Sequence, residues 1–302
     1  MKKQTTILPW EHPKHQEEDP ESLKLIEAIM KSPTYAMAEE DMDFLNSYEA
    51  RGIRLELDYL KPELKMKEYG VEHTIVVFGS ARIIEKETAM KRLSAIQESL
   101  QKKPNNRNLL HELYVAERMV GKSIYYDDAR KFGQLVGKSG ANIKDCHVTI
   151  MTGGGPGIME AANRGAFDVG ARSIGLNIKL PHEQYPNPYI TPDLCFLFHY
   201  FAVRKLHFVN RAKALVVYPG GFGTFDELFE TLTLIQTRKT QNIPVILVGK
   251  SYWEKAIDFE FLKDEGVIAP QDLDIFQFVD NADEAWKHIL SWHQKQGNPL
   301  FD

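Results

Sequence analysis

From residue 74 onward the chain alternates short apolar runs with longer stretches of helical spacing. The runs cover residues 74–78, 147–151, 173–178, 194–198, 214–218, 244–248 and 275–279, most of them rich in β-branched or aromatic residues, as strands are. Most are apolar throughout rather than alternating, which predicts a parallel sheet buried on both faces. Between them, apolar spacing predicts helices over 125–139, where Ala129, Phe132, Leu135 and Val136 share a face, and over 201–210, 225–238, 252–261 and 282–292. Ile158, Met159, Ala161, Ala162 and Ala166 open a further helix of small residues, suited to tight packing on the sheet. The expected fold class is α/β, a Rossmann-like doubly wound parallel sheet.

The pattern before residue 73 differs. Residues 1–20 hold three prolines and mixed charge, and read as an irregular arm. Leu23, Ile26, Ile29 and Met30 make one helical stripe. Met42, Leu45 and Tyr48, then Ile53, Leu55, Leu57 and Leu60, suggest a second, longer helix broken near Gly52. Residues 1–72 are therefore expected to form a helical N-terminal extension, and 73–302 the sheet domain. A long helical stretch follows the first strand, with a turn at Lys103-Pro104-Asn105-Asn106, so 84–123 read as an inserted helical hairpin.

Composition narrows the classes. The chain has 302 residues, 43% hydrophobic and 26% charged, with a net charge of −5, an ordinary globular balance. No apolar run reaches the ~20 residues of a membrane-spanning helix, and the polar start is no secretory signal. Mild acidity speaks against nucleic acid as a partner. Lys102, Lys103 and Arg107 read as a solvated loop. Cys146 and Cys195 are the only cysteines, which points to a reducing cytoplasm, and both are expected to pack in strands.

Three glycine-rich turns follow strands, and parallel strands would set them along one edge of the sheet. They are Gly79-Ser80, the run Gly153-Gly154-Gly155-Pro156-Gly157, and Pro219-Gly220-Gly221-Phe222-Gly223-Thr224. Backbone N–H groups at such a helix start, with no Cβ in the way, suit a phosphate. Thr224 is expected as a helix cap or a hydroxyl donor to that anion. Glu227 is expected on the first turn of the same helix, either as a carboxylate for chemistry or as a charge complementing the helix dipole. Arg204 and Lys205 read either as an ordinary solvated pair or, since the helix they open would have its mouth beside the Gly220 loop, as part of that site. The glycine run lacks the Gly-x-Gly-x-x-Gly dinucleotide spacing. Gly121-Lys122-Ser123 lacks the glycines and strand of a Walker loop and reads as chance. His12 and His15 lie in the arm, and no metal-ligand spacing emerges.

PGGFGTFDE, the upstream GGGPGIME and the Arg-Lys pair in FAVRK resemble the "Lonely guy" phosphoribohydrolases, a family long described as possible lysine decarboxylases. The resemblance covers roughly 74–290, apart from the 84–123 insertion, and leaves 1–70 unexplained. It implies hydrolysis of the N-glycosidic bond of a nucleoside 5′-monophosphate, AMP-like or prenylated, to a free base and ribose 5-phosphate, without a cofactor. It also implies a homodimer or larger homo-oligomer. Arg204 and Glu227 would be the catalytic pair. Gly154, Gly155, Gly157, Gly221, Gly223 and Thr224 would hold phosphate and ribose, with Ser80, Arg82 and Glu160 lining the rest, and Gly79, Lys205 and Gly220 beside them. The chemistry fits, because base departure builds an oxocarbenium-like charge that a carboxylate stabilises. Lysine decarboxylation fits less well, since no distinct pyridoxal-phosphate lysine is found. The rival reading is a non-catalytic nucleotide or molybdenum-cofactor carrier on the same fold, which would have no need of both Arg204 and Glu227.

Overall fold

The computed structural model describes residues 10–139, 148–181 and 185–301. Cys146, His147 at the start of the expected second strand, and His182, Glu183 and Gln184 of the proline-rich loop lie outside the described residues, as do the first nine positions of the arm. The chain divides into two compact units, one up to Leu57 and one from Asp58.

The first unit holds α1 (Ser22–Met30), a single 3-10 turn and α2 (Met42–Asn46). Asp41 caps α2 by accepting from the Phe44 N–H. The break expected near Gly52 falls earlier: Ser47 is extended, and α3 (Arg51–Glu68), which runs across the division, starts before the glycine.

The second unit is built on seven strands: β1 (His73–Phe78), β2 (Val148–Thr152), β3 (Ser173–Ile178), β4 (Cys195–Phe198), β5 (Ala212–Val217), β6 (Val245–Val248) and β7 (Phe276–Val279). They form one parallel sheet in the order β4-β3-β2-β1-β5-β6-β7. Both faces are covered, as the uniformly apolar runs require. Ile75 and Val77, Ala214 and Val216, and Ile246 and Val248 join one core, while the alternate positions Val76, Leu215 and Leu247 are as deeply buried on the other face.

Helices after the strands are α4 (Lys86–Lys102), α5 (Arg107–Lys122), α6 (Ile124–Lys138), α7 (Ile158–Asp168), α8 (Phe201–Asn210), α9 (Phe222–Gln236), α10 (Lys250–Ala256), α11 (Phe259–Asp264) and α12 (Ala282–Lys295). The single helix expected over 252–261 is thus two, with Asp258 capping the second through the Phe261 N–H. Helices α6 and α7 approach closely through Gly133 and Gly165. A Cβ at Gly133 would strike the Ala162 carbonyl, and one at Gly165 the Arg130 carbonyl. The small residues of α7 therefore serve a helix neighbour as well as the sheet. No described helix is long and apolar enough to cross a membrane.

The topology selects one place for a ligand. From β1 the chain steps outward through β2, β3 and β4, then returns to the other side of β1 for β5, β6 and β7. The order reverses between β1 and β5, so a crevice opens at the carboxyl ends of these two strands.

Candidate active site

The loops after β1 and β5 meet at that crevice. The Tyr218 N–H donates to the Phe78 carbonyl (2.9 Å) and the Ser80 N–H to the Pro219 carbonyl (3.0 Å), which locks the two turns together. Above them opens a cleft of about 920 Å³. Its walls are 78–83 after β1, 219–227 after β5, Met159 of α7, Phe201 and Arg204 of α8, Met119 and Lys122 of α5, and Tyr252 and Ala256 of α10.

Helix α9 begins three residues earlier than its apolar spacing predicts, because Gly221 is the N-cap. Two expectations change with it. Thr224 is the third residue of the helix and so is not its cap; it is buried, with its side chain against Gly220. Glu227 moves from the first turn to the second, where a charge does little for the helix dipole. Gly221 has no side chain to cap the first N–H groups of α9, so these remain available to an anion. A Cβ on Gly221 or Gly223 would meet nothing within 4 Å. The fold does not need glycine at these two positions, and their effect is to keep the cleft open.

Glu227 and Arg204 face each other's charge in this cleft. Glu227 is 7% exposed, and its carboxyl is pushed up to about 7; burial is the main cause, opposed by the Lys205 and Arg204 charges. Arg204 is 9% exposed, and burial lowers its guanidinium below the ordinary range while the Glu227 charge works against that. Its Nε has no hydrogen-bond partner, and among the described residues no carboxylate lies within 4 Å of it. The guanidinium sits 5.1 Å from the Phe208 ring and 5.8 Å from that of Phe201. An unpaired buried cation is costly, and such perturbed pairs in a cleft mark functional sites.

Helix α8, which carries Arg204, is held at both ends by the second half of α3. Asp58 accepts from the N–H groups of His199 and Tyr200 (2.8 and 2.9 Å), and Glu63 binds Arg211 bidentately (2.6 Å each). Tyr252 donates its hydroxyl to the Gly220 carbonyl at 2.5 Å and fixes that peptide from the opposite wall.

The expected site residues are not all on this cleft. Gly79, Ser80, Arg82, Arg204, Gly220, Gly221, Gly223, Thr224 and Glu227 line it. Gly154 and Gly155 do not. The Gly154 N–H donates to Thr152 Oγ1, and the Asn187 N–H and Asn177 Nδ2 donate to its carbonyl, while Asn187 Nδ2 donates to the carbonyl of Gly155. Asn163 completes this buried network by accepting from Thr152 and Asn187. Gly157 (φ 74°) lets the Ser80-Ala81 backbone lie against the start of α7, whose Ile158 N–H donates to the Ser80 carbonyl (3.1 Å). Glu160 accepts from the Tyr126 hydroxyl (2.8 Å) away from the lining. Lys205 points to α9, pairing with Asp226 (2.9 Å) and Glu230 (3.1 Å). Burial works against its charge, yet those two carboxylates hold the ammonium above its usual value.

Met119, Lys122, Met159 and Tyr252 line the cleft without having been picked out from the sequence as site residues. Tyr252 could have been found as the first aromatic after β6, the next strand whose carboxyl end meets the same edge. No spacing signals the three asparagines, which are brought together only by the fold. Among the described residues no group of three or more His, Cys, Asp or Glu side chains could hold a metal ion.

In open, doubly wound sheets the crevice at the reversal point is where ligands bind, and here it is walled by glycine loops. Residues 159–289 match the family model described as "Possible lysine decarboxylase". Over that segment, less than half of its length, the chain is similar to this family, the one its motifs resemble. It is 31% identical over 156 residues to the pyrimidine/purine nucleotide 5′-monophosphate nucleosidase of three strains of Escherichia coli, covering 46% of this chain and 30% of theirs. The chain thus spans less than a third of the length of these curated relatives. Among solved structures, a molybdenum cofactor binding protein from the phototrophic bacterium Rippkaea orientalis shares 20% identity at a TM-score of 0.38, over 55% of this chain and 86% of that one. A structural-genomics target solved by X-ray methods shares 18% at 0.41, over 72% and 98%.

Proposed function

We propose that the protein hydrolyses the N-glycosidic bond of nucleoside 5′-monophosphates, releasing the free base and ribose 5-phosphate. The observation that carries this reading is Glu227, a buried acid held near neutrality beside an unpaired Arg204 on the wall of the cleft. The phosphate lies against the first turn of α9, between Gly221, Gly223 and Thr224. C1′ of the ribose then faces Glu227. As the C1′–N bond breaks, its electron pair leaves with the base nitrogen, which takes up a proton from solvent, and C1′ gains oxocarbenium character. The ionised Glu227 stabilises that charge and takes a proton from the water that bonds to C1′. A carboxylate near pH 7 is well matched to this task. Arg204 helps keep Glu227 ionised and offers its unpartnered N–H to an oxygen of the substrate.

The test is incubation of the purified protein with AMP, GMP, IMP, CMP and a prenylated AMP, with free base measured by chromatography. Base release from at least one of them is expected, and the panel reads the base preference. Nucleotide binding by calorimetry without release of any base would overturn the hydrolase and favour a nucleotide or cofactor carrier.

The active form is proposed to be a cytoplasmic homodimer or larger homo-oligomer. Phe222 is 97% exposed beside the cleft, and Phe201, Leu206 and Phe229 add apolar surface on α8 and α9. Light scattering is expected to give a mass of two chains or more; a monomer at working concentration would remove this part of the reading.

A further inference from the structure

We propose that the α4–α5 hairpin is part of the substrate site, and that Lys122 at its end contacts the phosphate of the nucleotide. The inference rests on the hydrolase reading for its substrate class and on different residues for its evidence. Lys122 is the last residue of α5 and lines the cleft together with Met119, three residues earlier on the same helix face. Its position is fixed by the next residue. Ser123 is buried, its hydroxyl donates to the Val120 carbonyl (2.7 Å), and its own carbonyl accepts from the Tyr126 N–H at the start of α6. Since α6 is packed into the core through Tyr126, Ala129 and Phe132, the end of the hairpin is anchored to the sheet domain.

The charges in the cleft assign Lys122 a ligand. Asp226 is already engaged by Lys205. Glu227 is buried and only partly ionised at neutral pH. Lys122 has no ion pair with any described residue, and it stands half-buried on the wall of a cleft rather than on an open helix face. An ammonium is a compact point charge with three donors, well suited to a phosphate oxygen. The bland alternative, that Lys122 merely complements the carbonyl end of α5, predicts no effect on ligand binding.

The two are separated by calorimetry in a Glu227→Gln background, which prevents turnover, with AMP, ribose 5-phosphate and adenosine as probes. Lys122→Ala is expected to weaken AMP and ribose 5-phosphate about tenfold and leave adenosine unchanged. Lys122→Arg should stay within about threefold for all three. Equal weakening of AMP and adenosine, or no change in either, would overturn the assignment, as would absence of AMP binding in the parent. If the wild type binds AMP but releases no base, the hydrolase reading falls, and the Lys122 assignment is still decided by the same titrations.

Discussion

Replacing Glu227 by glutamine is expected to lower base release about a thousandfold while making the protein harder to unfold. The first effect follows from removing an acid on the cleft wall whose titration point burial raises into the range found for positioned acid–base groups. The second follows from linkage. Glu227 titrates near 7 in the folded protein against an ordinary 4.5, so the folded state binds the proton more tightly than the unfolded chain. Below pH 4.5 both states are protonated and the group costs nothing. As pH rises from 4.5 through 7 the carboxyl ionises at the expense of the fold, and above 7 the full cost is present. A displacement of that size corresponds to about 3 kcal/mol. The glutamine variant avoids it, so its thermal midpoint should exceed that of wild type by about 5 °C at pH 8.5. The two should converge near pH 4.5. Wild-type kcat/KM should fall tenfold per pH unit on the acid side of about 7, and the residual activity of the variant should lack that limb. Stability curves that coincide at every pH would mean that Glu227 is not held near neutrality, and the mechanism would lose its base.

Arg204→Ala is expected to reduce kcat/KM about a hundredfold and to move the acid limb of the profile to higher pH. The direction is fixed by charge. Arg204 is among the groups that hold the Glu227 titration point down, so its loss lets burial push that point higher still. At pH 7 less of the variant carries an ionised Glu227, and part of the lost rate should return at pH 8.5. Arg204→Lys should not restore the rate, because an ammonium cannot reproduce the planar set of donors. Folding should survive, since Nε has no partner to lose and no carboxylate of the described residues lies within 4 Å to be left behind. A rate loss with an unmoved limb would assign Arg204 to substrate contact alone.

The sheet was legible because its strands are buried on both faces. An apolar run such as residues 173–178 has no solvent side to interrupt it, and its observed bounds coincide with the expected ones. The crevice was legible for the same reason, since glycine turns at the carboxyl ends of parallel strands must share an edge. Local detail was harder to read. Gly153 to Gly157 carries the same signal as the loop after β5, yet its backbone is tied up by Asn177 and Asn187, residues far along the chain. Arg204 and Lys205 are adjacent in sequence, and on a helix adjacent side chains diverge by about 100°, so one meets the cleft and the other the acids of α9. The start of α9 was misplaced because Phe222 and Gly223 contribute nothing to an apolar stripe. Phe222 is almost wholly exposed.

The central place of β1 also sets the order in which the chain can become a protein on the ribosome. About 140 residues separate Phe78 from Val217, roughly 10–30 s of synthesis. Through that interval β1 can pair with β2, while its other side remains a bare row of amide and carbonyl groups flanked by apolar side chains. Such an edge invites a neighbouring nascent chain as readily as its own later strand. The side of β1 that meets β5 is thus the last part of that strand to be protected during translation.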